Sequence, residues 1–299
     1  MAVRVLERFS GRLKTVEGAR EPFRTALQRE LPVPDDVRLL VYTPAHLTSK
    51  AKPPASVLAL THAGWLVVAE TEDGETATSR SDFAHTLLVE LTVVLLYGSL
   101  RIDFVADGRA QSVTIEFNTV MERLYEEAAQ LLLDGIDGVS RIAPVDRRTE
   151  WRMLSALPLK FCNAALEFTP QGQHLLALAH WPAVFAGRHR WSQRELAPEA
   201  MLALTERELM LISEEAKRSW WRGRRVNNYG SIITHCPFLR LDGFHVTERG
   251  PLARLDLALR ADAVEETVQV PLPADQKAAA MQIVLRAFER KEAARQAAD

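Results

Sequence analysis

The densest group of chemically active side chains lies between Lys217 and Arg225, where nine residues hold five cations, two tryptophans and no acid. Arginine suits phosphate because its fork can bind two oxygens at once, and tryptophan suits a membrane interface because it is amphipathic. The candidate ligand-binding residues are therefore Lys217, Arg218, Trp220, Trp221, Arg222, Arg224 and Arg225. The same mixture could bind a protein partner or single-stranded nucleic acid, or it could form a structural hairpin whose tryptophans cover apolar surface.

Motifs for catalysis, phosphate loops and metal binding are missing from the sequence. It has no Gly-x-Ser-x-Gly, no glycine-rich phosphate loop and no zinc-type spacing of Cys and His. His85 and His235 align with each other in an internal repeat of the chain, and aligned positions on strands favour a packing role. We therefore predict a protein that is not an enzyme and holds no metal or cofactor. An enzyme whose site is assembled only by folding is the alternative.

The overall composition is that of a globular protein with no strong electrostatic preference. Of the 299 residues, 47% are hydrophobic and 25% are charged, and the formal net charge is −2. Cys162 and Cys236 cannot form a disulfide framework and are expected to be small buried residues. The first residues carry charges where a signal peptide would be apolar. We therefore expect a cytoplasmic protein, with a peripheral position on the inner face of the membrane as a variant.

An internal repeat organises the chain. The sequence Leu-Ala-Leu-Thr occurs at Leu58–Thr61 and at Leu202–Thr205, an offset of 144 residues, and opens an apolar run each time. Three more matches keep the same order, at offsets of 138, 150 and 153: Leu39–Ala45 with Ala177–Ala183, His85–Leu91 with His235–Leu241, and Arg101–Phe104 with Arg254–Leu257. The rising offset predicts two copies of one unit, with longer loops in the second.

The repeat and its flanks predict five segments. These are an N-terminal helical segment over 1–31, a first domain over 32–137, a connector over 138–157, a second domain over 158–292 and a frayed tail over 293–299. Apolar residues recur at helical spacing in the N-terminal segment, first at Val5, Phe9, Leu13 and Val16 and then at Phe23, Leu27 and Leu31.

Each copy is predicted as short strands followed by one helix. In the first copy, Ala106–Arg109 is typical of a hairpin turn, and Thr119 with Glu122 forms a capping box for a helix that ends at Asp134–Gly135. The apolar face of that helix is predicted to carry Val120, Leu124, Ala128 and Leu131. In the second copy, strands are predicted over 174–269 and a helix over 274–296, with Met281, Val284, Leu285 and Phe288 on its apolar face.

A small antiparallel sheet must bury its edges or close, and a bent, nearly closed barrel plugged by a helix does so. That is the layout of the pleckstrin-homology-like (PH-like) fold. Pro54–Glu70 also resembles the bacterial PH-like domain family, in which a strand ending in Leu-Thr turns quickly into a second apolar strand. In the second copy, Met201–Glu214 is followed by Tyr229-Gly230-Ser231-Ile232, similar to the Tyr-x-x-Ile step of that family, whereas residues 71–85 have no such step. The predicted fold is mainly β with α: two tandem PH-like antiparallel β-barrels, each closed by a C-terminal helix, plus the N-terminal helical segment.

The resemblance implies a scaffold, because PH-like domains bind phosphoinositides, peptides or proteins, or are structural modules, and are seldom catalytic. We expect a binding or structural protein with an unknown protein partner. An anionic lipid bound at Lys217–Arg225 is the alternative. Apolar strand edges favour a homo-oligomer. Nucleic acid is not an expected partner, because the chain has no net positive charge.

Overall fold

The computed structural model describes residues 9–31, 36–45, 53–139, 145–186, 194–214, 220–221, 224–225 and 230–298. Strands account for 48% and helices for 29% of the structure, which confirms the prediction of a mainly β protein with helices. The chain divides into two compact units, residues 1–140 (unit 1) and 141–299 (unit 2).

Unit 1 contains eight strands and two helices among the residues described. The strands are β1 (Gly11–Arg12), β2 (Val37–Thr43), β3 (Ser56–Thr61), β4 (Gly64–Glu70), β5 (Thr76–Asp82), β6 (Thr86–Val94), β7 (Tyr97–Ala106) and β8 (Arg109–Phe117), and the helices are α1 (Phe23–Glu30) and α2 (Glu122–Ile136). Strands β1 to β5 form one antiparallel sheet in sequence order. Strand β6 pairs with β7, and β7 pairs with β8.

Strands β3 and β4 of the five-stranded sheet are buried on both faces. On one face, residues of β3 and β4 pack with α1, which contributes the fully buried Phe23 and Leu27. The neighbouring residues in sequence point to the opposite face, where α2 packs against β3, β4 and β6. Burial on both sides explains why these strands are continuous apolar runs and do not alternate with polar residues.

Unit 2 contains eleven strands and three helices within the described part of the chain. The strands are β9 (Ala177–Trp181), β10 (Val184–Ala186), β11 (Arg194–Ala197), β12 (Ala200–Leu204), β13 (Glu208–Glu214), β14 (Trp220–Trp221), β15 (Arg224–Arg225), β16 (Gly230–Pro237), β17 (Leu241–Arg249), β18 (Leu252–Ala261) and β19 (Val264–Pro273), and the helices are α3 (Trp151–Leu154), α4 (Leu159–Phe168) and α5 (Lys277–Ala298). Strand β12 lies between β9 and β13, and β13 pairs with β16. The pairs β10–β11 and β14–β15 form small sheets, and β17–β18–β19 form a meander.

Strand pairing gives a residue-by-residue correspondence between the two units. Ala59 pairs with Leu66 as Ala203 pairs with Met210, so the offset in β3 and β4 is 144. Leu66 in turn pairs with Arg80, and Met210 pairs with His235, which raises the offset to 155 in β5. The same offset of 155 relates β6, β7 and β8 to β17, β18 and β19. All eleven extra residues therefore lie between Glu214 and Ser231, where unit 1 has only a five-residue turn.

This correspondence corrects two of the four sequence matches. The offsets of 138 and 144 agree with the strand pairing, but those of 150 and 153 do not. His235 corresponds to Arg80, and His85 corresponds to Arg240. Short strands with alternating apolar residues give similar sequence matches in more than one register. The match between His85–Leu91 and His235–Leu241 is therefore in the wrong register.

Closure into barrels is not confirmed, because none of the sheets within the described residues closes on itself. In unit 1 a 3₁₀ turn at Phe83–His85 separates β5 from β6. In unit 2 a turn over residues 238–240 separates β16 from β17. Each unit instead has a first group of strands, a separate three-stranded meander and a final helix.

Several helix predictions also need correction. Of the N-terminal segment, residues 1–8 lie outside the described residues, and the part from residue 9 to Pro22 is not an α-helix: Gly11–Arg12 form β1, and only Phe23–Glu30 form α1. Glycines at positions 11 and 18 disfavour a continuous helix there.

The two predicted C-terminal helices exist, but their details differ. No side chain caps α2 directly; Asn118 caps the short 3₁₀ turn before it, and Thr119 donates instead to the Leu95 carbonyl. The helix continues past Asp134–Gly135 to Ile136, and Val120 is exposed. In α5 Leu285 is exposed and the helix reaches Ala298, within the tail predicted to fray. The connector and the start of the second domain contain the unpredicted helices α3 and α4.

Candidate functional site

An open cleft of about 450 Å³ lies on unit 1 and is called here the unit 1 cleft. It is lined by Glu30 and Leu31 at the end of α1, Asp36 before β2, Thr61, Ala63, Gly64, Trp65 and Leu66 around the β3–β4 turn, Arg80, Ser81 and Asp82 at the end of β5, and His85 and Val105. Because four chain segments end at this place, residues far apart in sequence meet there.

The floor of the unit 1 cleft is apolar and rigidly held. Leu31, Leu66 and Val105 are buried. The Trp65 ring lies edge-on to Phe104, with 4.8 Å between ring centroids. The Trp65 indole N–H donates to the Thr86 hydroxyl at 2.9 Å, so the buried polar end of the ring is satisfied. These contacts hold the apolar floor of the cleft in place.

The rim of the cleft is charged and mainly acidic. Glu30 accepts hydrogen bonds from Arg29 at 2.9 Å and from Arg80 at 3.1 Å. Asp36 lies 4.0 Å from the exposed His62 imidazole. With Asp82 included, the lining has three carboxylates and one guanidinium, a formal charge of −2 when the His85 imidazole is neutral.

Asp82 and His85 form a close pair with a structural role. The Asp82 carboxylate accepts the His85 backbone N–H at 2.8 Å and lies 2.6 Å from the His85 Nδ1 atom. The carboxylate thereby caps the 3₁₀ turn at Phe83–His85, which is a standard use of aspartate at the start of a helical turn. This cap fixes the corner between β5 and β6 and so holds one wall of the cleft.

Gly64 is required where β4 leaves the cleft. A Cβ atom at this position would lie 2.3 Å from the Ser81 carbonyl oxygen and 2.7 Å from the Asp82 Cα atom. Both are backbone atoms and cannot rotate away. The close approach of β5 to β4 therefore depends on glycine, and it leaves the outer face at this position without a side chain.

Unit 2 fills the corresponding place with a buried pair. By strand pairing, Gly64 corresponds to Glu208 and Arg80 to His235. The His235 Nδ1 atom lies 2.8 Å from the Glu208 carboxylate, and these side chains are only 4% and 2% exposed. One unit thus has an open, charged cleft, and the other has an internal hydrogen bond.

The threonine of the repeated Leu-Ala-Leu-Thr motif closes the same turn in both units. The Thr61 hydroxyl donates to the Gly64 carbonyl and accepts the Gly64 N–H, each at 3.1 Å. The Thr205 hydroxyl makes the same two bonds with Glu208, at 3.2 and 3.1 Å. A side-chain turn of this kind stabilises the strand reversal, so the most visible repeated motif has a structural role.

Of the seven site residues predicted from the sequence, three lie outside the described part of the chain, and the other four are described by their backbones alone. Lys217, Arg218 and Arg222 are outside the described residues. The backbones of Trp220–Trp221 and Arg224–Arg225 form the paired strands β14 and β15. This small hairpin lies within the insertion that distinguishes unit 2 from unit 1.

Two further histidines of unit 2, among the described residues, each lie beside a glutamate. His174 lies 2.8 Å from the Glu150 carboxylate and His180 lies 2.9 Å from Glu199. Cys162 and Cys236 are buried and form no disulfide, which confirms the expectation for both. Taken one unit at a time, the described residues bring together no three His, Cys, Asp or Glu side chains that could share a metal ion.

Sequence reasoning missed the unit 1 cleft. The Glu30–Arg80 ion pair joins residues 50 positions apart, and no local spacing indicates it. The one available signal was the difference between the repeats, since glycine follows the first Leu-Ala-Leu-Thr by three residues and glutamate follows the second.

Comparison of the chain with family models, curated proteins and solved structures gives no match. Within the described residues, no helix combines the length and the apolar composition needed to cross a bilayer.

Proposed function

We propose that the chain is a non-catalytic binding protein whose unit 1 cleft takes a basic, partly apolar segment of a partner protein. The observation that carries the proposal is the contrast between the two units. The cleft is open and charged in unit 1, whereas Glu208 and His235 occupy the same place in unit 2. Unit 2 needs no ligand there, because its polar groups bind each other.

Charge and shape define the expected ligand. A lining charge of −2 favours a Lys or Arg side chain, and the apolar floor favours an aliphatic or aromatic neighbour. A cavity of about 450 Å³ has room for a few side chains. A short peptide segment with one cation next to one apolar residue therefore matches the cleft.

Binding is favoured over catalysis because two of the three carboxylates of the cleft are engaged in holding the fold. The Asp82 carboxylate caps the β5–β6 corner. Glu30 is bound by two arginines. A general acid or base must be able to reach a substrate and change its protonation state, whereas these carboxylates link chain segments.

The test uses random peptides displayed on phage and panned against the full-length chain. Enriched peptides are expected to carry Lys or Arg beside an apolar residue. Asp36→Lys should weaken their affinity by about tenfold, since it replaces a rim attraction by a repulsion. Glu72→Lys makes the same charge change in the exposed β4–β5 turn, at the far end of β4 from the cleft, and should leave affinity unchanged. Enriched peptides without a cation, or equal binding to Asp36→Lys, would contradict the proposal.

We further propose that both units are PH-like domains. The supporting observation is the repeated order of four antiparallel strands, a three-stranded meander and one helix, in β2 to α2 and again in the strands and helix of unit 2. Experimental structures of the two units that fail to superpose through their corresponding strands would refute this assignment.

A second candidate function is peripheral binding to anionic lipid through the basic hairpin. It is favoured by the position of β14 and β15 in an insertion that unit 1 lacks. Sedimentation with anionic vesicles should weaken on Arg222→Glu/Arg224→Glu/Arg225→Glu. Unchanged sedimentation of this variant would exclude the hairpin as the lipid site.

A further inference from the structure

A second cavity of unit 1, of about 390 Å³, lies beside β1 and the start of β2. Its charged lining residues are Arg12, Lys14, Arg38 and Glu17, and none of them lines the unit 1 cleft. Three cations and one carboxylate give the lining a formal charge of +2. The two cavities of unit 1 therefore have opposite charge.

Arg38 reaches this cavity from an irregular position in β2. Val37 pairs with Thr61 and Leu39 pairs with Leu60, so Arg38 is the extra residue of a β-bulge. A bulge redirects a side chain away from the regular alternation of the strand. Arg38 is half-buried, and the corresponding residue of unit 2, at the offset of 138 that relates β2 to β9, is Leu176. The cation is thus specific to unit 1.

The positive charge of the cavity is only partly neutralised. The side chains of Lys14 and Arg38 have no ion-pair or hydrogen-bond partner among the described residues. Arg12 is paired with Glu127 of α2. The pKa of Glu17 is lowered, first by a hydrogen bond with its own backbone N–H and then by the Thr15 hydroxyl, so this carboxylate is engaged within its own turn.

Lys14 is exposed and Arg38 is half-buried, so water weakens the repulsion between them, and an anion bound between the two would be attracted by both. The Arg38 fork can bind two oxygens, and Lys14 adds a point charge. A phosphate monoester carries a charge of about −1.5 to −2 near neutral pH, opposite in sign to the charge of the lining.

We propose that this cavity is a binding site for a phosphate monoester. The phosphate comes either from a small soluble molecule or from a lipid head group that presents a terminal phosphate. Both sources offer the same group to Lys14 and Arg38, so a single set of variants tests the chemistry and two kinds of probe separate the sources.

The soluble probes are inorganic phosphate and glycerol 3-phosphate, titrated calorimetrically into the full-length chain. The membrane probe is sedimentation with phosphatidylcholine vesicles that contain or lack phosphatidic acid. Lys14→Gln and Arg38→Gln should each weaken binding by about tenfold, and the double variant by about a hundredfold. The control is Arg109→Gln/Arg123→Gln, which removes two exposed cations of unit 1 outside the cavity lining and should leave affinity within about twofold. Circular dichroism and thermal melting verify that all variants are folded.

Three results are decisive. Binding of glycerol 3-phosphate that is lost in the double variant supports a soluble ligand. Binding confined to vesicles with phosphatidic acid, and lost in the same variant, supports a lipid head group. If no probe binds the wild type, or if the double variant binds as tightly as the control, the cavity is not a phosphate site.

Discussion

Replacing Glu208 with alanine is expected to destabilise unit 2 by about 1–3 kcal/mol, because the variant leaves the buried His235 side chain without its hydrogen-bond partner. The two side chains are 2% and 4% exposed, so water cannot replace the lost hydrogen bond at 2.8 Å. Replacing both residues together, as Glu208→Met/His235→Leu, removes both polar groups and should stay within about 1 kcal/mol of wild type.

The chain offers a matched control for this variant in another His–Glu pair of unit 2. His180 lies 2.9 Å from Glu199, but these side chains are 18% and 29% exposed. Water can therefore solvate His180 after Glu199→Ala, and the expected cost is about 1 kcal/mol or less. The two truncations differ mainly in burial.

Urea unfolding followed by circular dichroism measures the free energies of unfolding of all four proteins. Hydrogen exchange in β13 and β16 locates the effect within unit 2. If Glu208→Ala lowers the free energy of unfolding no more than Glu199→Ala does, the Glu208–His235 pair does not stabilise unit 2. The contrast between this buried pair and the open unit 1 cleft would then have no energetic support.

Three further predictions concern unit 1. Gly64→Ala should destabilise it by about 1–3 kcal/mol in urea unfolding, since the new Cβ atom meets the backbone of β5; an unchanged midpoint would show that β5 can move away. Tyr125→Phe should cost about 1–3 kcal/mol, because the Tyr125 hydroxyl lies 2.6 Å from the Thr43 hydroxyl and 2.8 Å from the Ser10 hydroxyl in the core. Burial raises the pKa of Tyr125, so this difference should be full below about pH 10 and decrease at higher pH, where the unfolded tyrosine ionises first; a difference that grows with pH would contradict this. Leu95→Gly should raise the melting temperature, with a gain of up to about 1 kcal/mol, because Leu95 is exposed and has φ +50° whereas the corresponding residue of unit 2 is a glycine; a lower melting temperature would mean that the leucine makes contacts that offset the backbone cost.

Much of the strand content could be predicted from the sequence, because strand signals are local. The Ala106–Arg109 turn is confirmed: Asp107 and Gly108 both have positive φ, as a two-residue hairpin turn requires. The Leu-Ala-Leu-Thr motif aligned β3 with β12 in the correct register, because the same threonine turn follows each strand.

Helices α1 and α4 show what local patterns could not predict. Both are short, and their apolar residues pack on the outer face of a sheet whose other face is also buried. The continuous apolar strands were visible in the sequence, but nothing in them indicated which element covers each face. For this reason the sequence pattern predicts α1 only as part of a longer helical segment and does not predict α4.

The unit 1 cleft was beyond sequence reasoning for a different reason. Its charged rim joins the end of α1 to the end of β5 through Glu30 and Arg80. Only the three-dimensional path of the chain brings these groups together, and each looks like an ordinary surface charge in the sequence. The charges of the basic segment Lys217–Arg225 are neighbours in sequence, whereas those of the cleft become neighbours only on folding.

The insertion between β13 and β16 has a consequence for protein engineering. Eleven residues are added at one point, yet the pairing of Glu214 with Ser231 repeats that of Glu70 with Thr76, and every later strand keeps its register. The β4–β5 turn of unit 1 is thus the natural acceptor position for foreign sequence. A peptide epitope or a sensor hairpin could be grafted between Glu70 and Thr76, because unit 2 has an insertion at the corresponding position and keeps its strand register. Transplanting residues 215–230 into that position would also give unit 1 a basic segment of its own, so that one molecule would present the segment twice on a shared scaffold.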